Sequence, residues 1–299
     1  MASNIFDLVK ERTVLLDGGM GTELIKHGIP QGACSESWNE EKPKIVKKIH
    51  KSYYDAGSDV VLTNSFGGNK IKLDSHGFGE KCHELNLAAA KLAVEVRPEG
   101  KFIAGSMGPT GKFLKPHGEF TEEEFENAYG IQAKALTEGG VDFLLIETQY
   151  DLKEALCALK GAKMNSNIPV FVTITFNLTP RGYFTIMGDS VSKCIEELER
   201  HDVPVVGTNC TLDSSDMVNL IKVMREATPL PLIAQANAGQ PTISSDGKVL
   251  YSQEIEDYVG HIPQMIQNGA NLIGGCCGTN PDYIRRMAEV IKEKKGIKK

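Results

Sequence analysis

The sequence predicts a closed (β/α)₈ barrel, and three observations predict it. Eight short apolar runs recur along the chain, amphipathic stretches lie between them, and one glycine-centred joint links helix to strand three times. The first run is VLLD at 14–17, followed by DVVLTN at 59–64, FIAGSMG at 102–108 and DFLLIET at 142–148. The second four are VFVTITF at 170–176, PVVGTN at 204–209, PLIAQANA at 231–238 and NLIGGCC at 271–277. Each is nearly continuous rather than alternating, as strands of a parallel sheet buried on both faces are.

Between the runs the period changes to that of a helix. Over 42–55, Ile45, Val46, Ile49 and Tyr53 fall on one stripe. Thr121 and Glu124 form a capping-box pair ahead of Phe125, Ala128, Tyr129, Gln132 and Leu136. Asn280-Pro281-Asp282 opens the last helix with a cap residue and a proline in the first turn. The joints are AGSD at 56–59, GGVD at 139–142 and NGAN at 268–271, where glycine ends a helix in the left-handed conformation and a strand begins. An open doubly wound sheet is the runner-up, but no GxGxxG or GxxxxGK[ST] follows the first strand. No Pro/Gly/Ser-rich linker divides the chain, so residues 1–299 read as one domain. The stretch 239–253 reads as an excursion or hairpin inside it.

Composition narrows the function. The 299 residues carry a formal charge of −6 and 24% charged side chains, with a pI near 5.7. This argues against a nucleic-acid groove as the main surface. The basic tail KEKKGIKK reads as a solvated terminus. No run approaches the roughly 18 apolar residues that span a bilayer, and the start lacks a secretory pattern. The expected location is cytoplasmic and reducing, where seven cysteines point to metal binding or catalysis before disulfides.

In a barrel the active site lies at the C-terminal ends of the strands. Cys210 ends the sixth run, and Cys276 and Cys277 end the eighth. Only one strand separates them, so the three sulfurs can meet on the rim. Neighbouring strand residues point to opposite faces, so both vicinal cysteines can serve one ion only if the backbone leaves strand geometry, which Gly274, Gly275 and Gly278 allow. Three thiolates favour zinc, and a fourth open position marks a catalytic site. A substrate thiol bound there loses its proton and becomes a nucleophile toward carbon. Cys34, Cys82, Cys157 and Cys194 read as incidental. The pair Cys82-His83 sits in a helical stretch without partner cysteines.

Other rim residues suit an amino-acid thiol. Glu147 ends a buried strand and needs a cation, which a substrate ammonium provides. Asp17 does the same or caps its glycine-rich turn. Backbone N–H groups of Gly18, Gly19, Met20 and Gly21, or of Ser106 to Gly108, offer a carboxylate cradle.

Together these residues give the chain its family likeness. DGGMGTEL at 17–24, LTNSFGGN at 62–69, GSMGPTG at 105–111, IET at 146–148, TNC at 208–210, ANAGQP at 236–241 and GGCCGT at 274–279 resemble the homocysteine S-methyltransferase family. The overall pattern looks most like the homocysteine-binding module of cobalamin-dependent methionine synthases. The resemblance implies zinc on Cys210, Cys276 and Cys277, with the homocysteine sulfur in the fourth position. It implies that Glu147 and the Asp17 turn hold the amino-acid end, and that Asn237 is the side chain that occupies the metal when substrate is absent.

One segment departs from the family pattern. TPRGYFTIMGDS at 179–190 follows the fifth strand, where Arg181, Tyr183 and Asp189 contact a different donor or thiol, unless the segment is a surface hairpin. A chain of this length holds a thiol-activating half-reaction, so the methyl group must come from outside it. The expected donor is methylcobalamin presented by a separate corrinoid protein. The alternatives are a free S-methylmethionine or betaine donor, a corrinoid-system enzyme acting on another thiol or methylated substrate, and a non-catalytic zinc scaffold.

Overall fold

A computed structural model of the chain describes residues 4–243 and 249–296. Eight parallel strands form one barrel sheet with helices outside it. In chain order the strands are β1 (Val14–Leu15), β2 (Val60–Leu62), β3 (Phe102–Met107) and β4 (Phe143–Gln149). They continue with β5 (Val170–Ile174), β6 (Val206–Asp213), β7 (Leu232–Asn237) and β8 (Ala270–Gly275). Every strand falls on one of the eight apolar runs. Hydrogen-bonded neighbours follow the order β1-β8-β7-β6-β5-β4-β3-β2, so β7 is all that lies between the two cysteine-bearing strands.

Closure between β1 and β2 uses a mixture of main chain and side chain. Asp59 N donates to Leu15 O at 2.6 Å, and Leu62 N donates to Asp17 Oδ2 at 2.8 Å. The Asp17 carboxylate therefore stands where a ladder carbonyl would stand at the top of this seam.

The helices follow their sequence signals. Pro43–Ala56 buries Val46, Ile49 and Tyr53, with His50 and Tyr54 widening the expected stripe and Ile45 at its edge. Glu122–Glu138 starts with the Thr121/Glu124 capping box in place. Asn280 Oδ1 accepts from Asp282 N at the head of Pro281–Gly296. All three joints contain a glycine at positive φ: Gly57 at 115°, Gly140 at 92° and Gly269 at 105°. Among the described residues no helix is long and apolar enough to cross a membrane. The end of the basic tail lies outside the described residues.

Two apolar layers result. One lies between strands and helices. The other fills the lower barrel interior with Val14, Leu16, Phe102, Phe143, Leu145, Phe171, Ile233 and Leu272. Helix Ile5–Glu11 closes the floor through Ile5, Leu8 and Val9, and Phe6 packs edge-on to Phe171 at 5.7 Å between ring centroids. Period-two alternation carries the interior columns up to the rim. Phe102 and Ala104 lead to Ser106, Phe143 and Leu145 lead to Glu147, and Ile233 leads through Gln235 to Asn237. The apolar floor and polar rim are thus successive steps of the same strands.

Two hairpins leave the rim. Asn177–Thr179 pairs with Gly182–Phe184 after β5, and Pro241–Ile243 pairs with Val249–Tyr251 after β7. The second is the hairpin expected within 239–253, and its tip lies outside the described residues.

Candidate functional site

The three rim cysteines come together as the strand order requires. Their Sγ atoms all lie within 4.8 Å of one another, and Cys210 and Cys277 stand 4.0 Å apart. Tetrahedral coordination at the usual zinc–sulfur distance puts sulfurs about 3.8 Å apart. The donor set and spacing therefore fit zinc. All three residues are half-buried, so the cluster is reachable from the mouth.

The backbone leaves strand geometry at both ends of this cluster. Cys210 and Thr211 take positive φ, 63° and 55°, and the β6–β7 register breaks between Asn209 and Asp213. Without that reversal Cys210 would follow Asn209 onto the opposite face. On the other side β8 stops at Gly275, and Gly278 at φ 83° turns the chain. Gly274 and Gly275 supply room rather than unusual dihedrals, since a Cβ at Gly275 would stand 2.2 Å from Thr279 Oγ1. The glycines account for half of the expected departure. The other half is strain at Cys210 itself, held by Thr211 Oγ1 donating to Phe176 O at 2.9 Å.

Protons are shared unequally among the thiols. Hydrogen bonds from Cys276 and Cys277 hold the Cys210 thiol far down, at about 3. The Cys210 thiolate and burial push Cys277 up to about 12, and Cys276 rises for the same reasons.

Beside the sulfurs stand two buried carboxylates, Glu147 and Asp17, that have no cationic partner among the described residues. Burial, opposed by a 2.5 Å hydrogen bond from Ser106 Oγ and helped by Cys210, pushes Glu147 up from 4.5 to about 7. Asp17 is also raised by burial, with Glu147 adding to the rise, although its Oδ2 accepts from Leu62 N. Asp17 Oδ1 has no hydrogen-bond partner among the described residues. A buried carboxylate in this condition needs a positive ligand or a proton.

Two residues that sequence reasoning left unassigned complete the site. Asn209 donates to Thr148 Oγ1 at 2.6 Å and to Glu147 Oε2 at 3.4 Å, while its Oδ1 accepts from Thr148 N and Thr173 Oγ1, both at 2.8 Å. It locks Thr148 at φ 58° and links Glu147 to the cysteine cluster. Period two places Asn209 on the interior column, which is the signal that could have found it. The other residue is Tyr251, on the hairpin after β7, whose ring packs on the turn after Cys277, where a Cβ on Gly278 would stand 2.3 Å from its Cγ. Asn237 is buried at the end of β7, with Oδ1 unpartnered among the described residues.

The proposed carboxylate cradle is corrected in part. Gly19 N donates to Thr279, Ser106 N to Thr63 Oγ1 and Gly108 N to Phe66 O, so these amides are already engaged. Gly18 packs closely on Thr279 and Tyr53. Met20 opens helix Met20–Lys26, whose start has no side-chain cap. Ser106 contributes through its hydroxyl on Glu147. The 179–190 segment is the surface hairpin of the two readings. Arg181 lies over the Phe184 ring, Tyr183 donates to Asp216 O at 3.5 Å, and Asp189 pairs with Lys193 at 2.6 Å. These three are committed to their own neighbours. Cys82 donates to Gly68 O, and His83 pairs with Glu138, away from any metal cluster among the described residues.

A family model described as homocysteine S-methyltransferase matches residues 14–291. The chain belongs to the homocysteine S-methyltransferase family. Its enzyme class is therefore that of the methyltransferases. Homocysteine S-methyltransferase relatives include the methionine synthase of Mycobacterium leprae, 29% identical over 97% of this chain and 25% of the relative. That of Mycobacterium tuberculosis is 28% identical with the same coverage. The chain thus spans about a quarter of the length of these curated relatives. The metallated form of homocysteine methyltransferase MmuM from Escherichia coli superposes with a TM-score of 0.78 at 24% identity, covering 94% of this chain and 97% of that one. Its likeness supports the same barrel.

Proposed function

We propose that residues 1–299 act as one homocysteine-binding barrel domain that methylates homocysteine to methionine in a zinc-dependent reaction. The observation that carries this reading is the juxtaposition of three sulfurs within 4.8 Å with two buried carboxylates that have no cationic partner among the described residues. Cys210, Cys276 and Cys277 would hold the zinc ion, which when bound lowers the pKa of a thiol in its remaining position. Glu147 and the free oxygen of Asp17 receive the substrate ammonium, and Asn209 with Ser106 keeps Glu147 aimed at it. The uncapped turn at Met20 faces the substrate carboxylate, with Gly18 and Gly19 shaping the approach. Asn237, buried at the end of β7, guards the cluster before substrate arrives. The substrate sulfur attacks the donor's methyl carbon, the S–C bond forms as the donor–methyl bond breaks with its electron pair left on the donor, and the thiol proton passes to solvent.

The donor we assign is a methyl-corrinoid protein acting in trans. Large apolar side chains stand exposed on segments that follow the strands: Phe66 after β2, Phe113 after β3, Leu178, Ile186 and Met187 after β5, and Leu250 after β7. An open apolar rim suits a bulky donor, whereas a free onium donor calls for an enclosed aromatic cage. A cluster of free thiols also suits a reducing, cytoplasmic setting.

The test is methionine formation from homocysteine with methylcobalamin, S-methylmethionine or glycine betaine, for wild type and Cys276→Ala. We expect turnover with methylcobalamin that falls to background in the variant. Undiminished turnover in Cys276→Ala would overturn the metal reading. Turnover with an onium donor only would overturn the donor assignment.

A further inference from the structure

Two glycine-rich motifs on the rim share an ending. DGGMGT at 17–22 and GGCCGT at 274–279 both run from a glycine pair to Gly-Thr. In the fold they lie side by side, and Gly275 N donates to Asp17 O at 2.9 Å where β8 ends. Beyond that point the two threonines cross over. Gly278 N donates to Thr22 Oγ1 at 3.0 Å, and Gly19 N donates to Thr279 Oγ1 at 3.1 Å. The Thr279 hydroxyl donates in turn to Cys276 O at 2.7 Å. Each motif thus satisfies an amide of the other, and one hydroxyl joins the Gly19 amide to the carbonyl of a cysteine.

The clasp has no slack. A Cβ on Gly19 would stand 2.6 Å from Thr22 Oγ1 and 2.9 Å from Cys276 O, and a Cβ on Gly275 would meet the Thr279 hydroxyl. Side chains at these glycines would push the motifs apart. Tyr53 holds the first motif from behind, its hydroxyl donating to Gly19 O at 3.1 Å. Thr279 is fully buried, so water cannot take over the bonds of its hydroxyl.

The two motifs carry the two ends of the site. The first bears Asp17, which receives the substrate ammonium in the reading above, and the second bears Cys276 and Cys277. A small amino-acid thiol must reach both at once, so the spacing of the motifs selects the carbon chain between its sulfur and its ammonium. We infer that Thr22 and Thr279 are positioning residues that fix this spacing and thereby set the length of thiol the site accepts. They act through Gly19, Cys276 and Gly278. The inference rests on the reading that the three cysteines hold a metal to which the substrate thiol binds.

The test uses the full chain loaded with Co(II), for wild type, Thr279→Val, Thr279→Ser and Thr22→Val. Thiol binding is read from growth of the sulfur-to-cobalt charge-transfer band. The probes are homocysteine, cysteine, which is one methylene shorter, and 1-propanethiol, which keeps the sulfur and three carbons but has no amino-acid end. In Thr279→Val we expect homocysteine affinity to fall roughly ten- to a hundred-fold, with a reduced preference over cysteine. Affinity for 1-propanethiol stays within about two-fold, because that thiol uses the metal end alone. Thr279→Ser keeps the hydroxyl and behaves as wild type. Thr22→Val, at a half-buried position, shifts the same ratios in the same direction and serves if Thr279→Val does not fold. Equal losses for homocysteine and 1-propanethiol, an unaltered preference over cysteine, or a serine variant as weak as the valine one overturns the assignment of the threonines. A wild-type band that grows with none of the thiols overturns the metal reading itself, and with it this one.

Discussion

The two ends of the barrel bury the same functional group in opposite ways. On the floor, Asp59 accepts two bonds from Arg12, at 2.5 and 2.7 Å, one from Lys101 at 2.9 Å and one from Leu15 N at 3.0 Å. Burial would raise this carboxyl, but Arg12, Leu15 and Lys101 outweigh it and hold it below its ordinary value. At the rim, Glu147 and Asp17 are equally buried, have a hydroxyl or an amide for company, and are raised. The contrast separates structural from ligand-directed acids by what surrounds them. A carboxylate that the chain itself neutralises serves the fold, and one with no cation beside it among the described residues fits the ammonium site proposed above.

Neutralising each acid should break this comparison if it is wrong. Asp59→Asn strands Arg12 and Lys101 beside an amide at the floor. It should cost about 3–4 kcal/mol of stability and lower Tm by roughly 5–10 °C, with homocysteine KM unaltered. Calorimetry and steady-state kinetics on the same preparation would decide it, and a raised KM with an intact Tm would reverse the assignment.

The pH dependence sharpens the contrast. Glu147 ionises near 4.5 when unfolded and near 7 in the fold, so between those values the unfolded chain loses the proton first. Stability attributable to Glu147 therefore falls as pH rises from 4.5 to about 7, by up to about 3 kcal/mol. Glu147→Gln should remove that slope in metal-free urea titrations across this window. Asp59 has the opposite sign. Its contribution is complete above pH 3.8 and is lost as pH falls through its lowered folded value. Parallel slopes in wild type and Glu147→Gln would show that the rim acid carries no such penalty.

The smallest effect is on substrate. Glu147→Gln should raise the KM for homocysteine about 10- to 100-fold, the loss of one charge-assisted contact, with Tm equal or higher. A thiol lacking the amino group, 3-mercaptopropionate, should bind both proteins equally. Equal loss for both thiols would mean that Glu147 acts on the sulfur end instead.

Much of the site was legible because strands repeat every two residues and end where chemistry collects. That periodicity carries Phe143 and Leu145 to Glu147, and Ile233 through Gln235 to Asn237. Asn209 lies on the same kind of column, and the neighbouring cysteine drew attention from it. Tyr251 had no local signal, because its hairpin meets the Cys277 turn only after β7 and β8 pair. Nor did the sequence separate the committed amides of Gly19, Ser106 and Gly108 from the uncapped turn at Met20, since their partners Thr279, Thr63 and Phe66 come from other loops.

By itself the sequence determined the eight strands, the helices between them and the rim position of the three cysteines. Those follow from apolar runs, caps and glycine joints, all of which act within a few residues. Only the tertiary structure decided that Cys210 reverses its backbone, that Asp17 closes the β1–β2 seam with one oxygen, and that Asp59 has cations where Glu147 has none among the described residues. Each of those depends on groups brought together from distant parts of the chain, and burial makes their pairing, or its absence, energetically decisive.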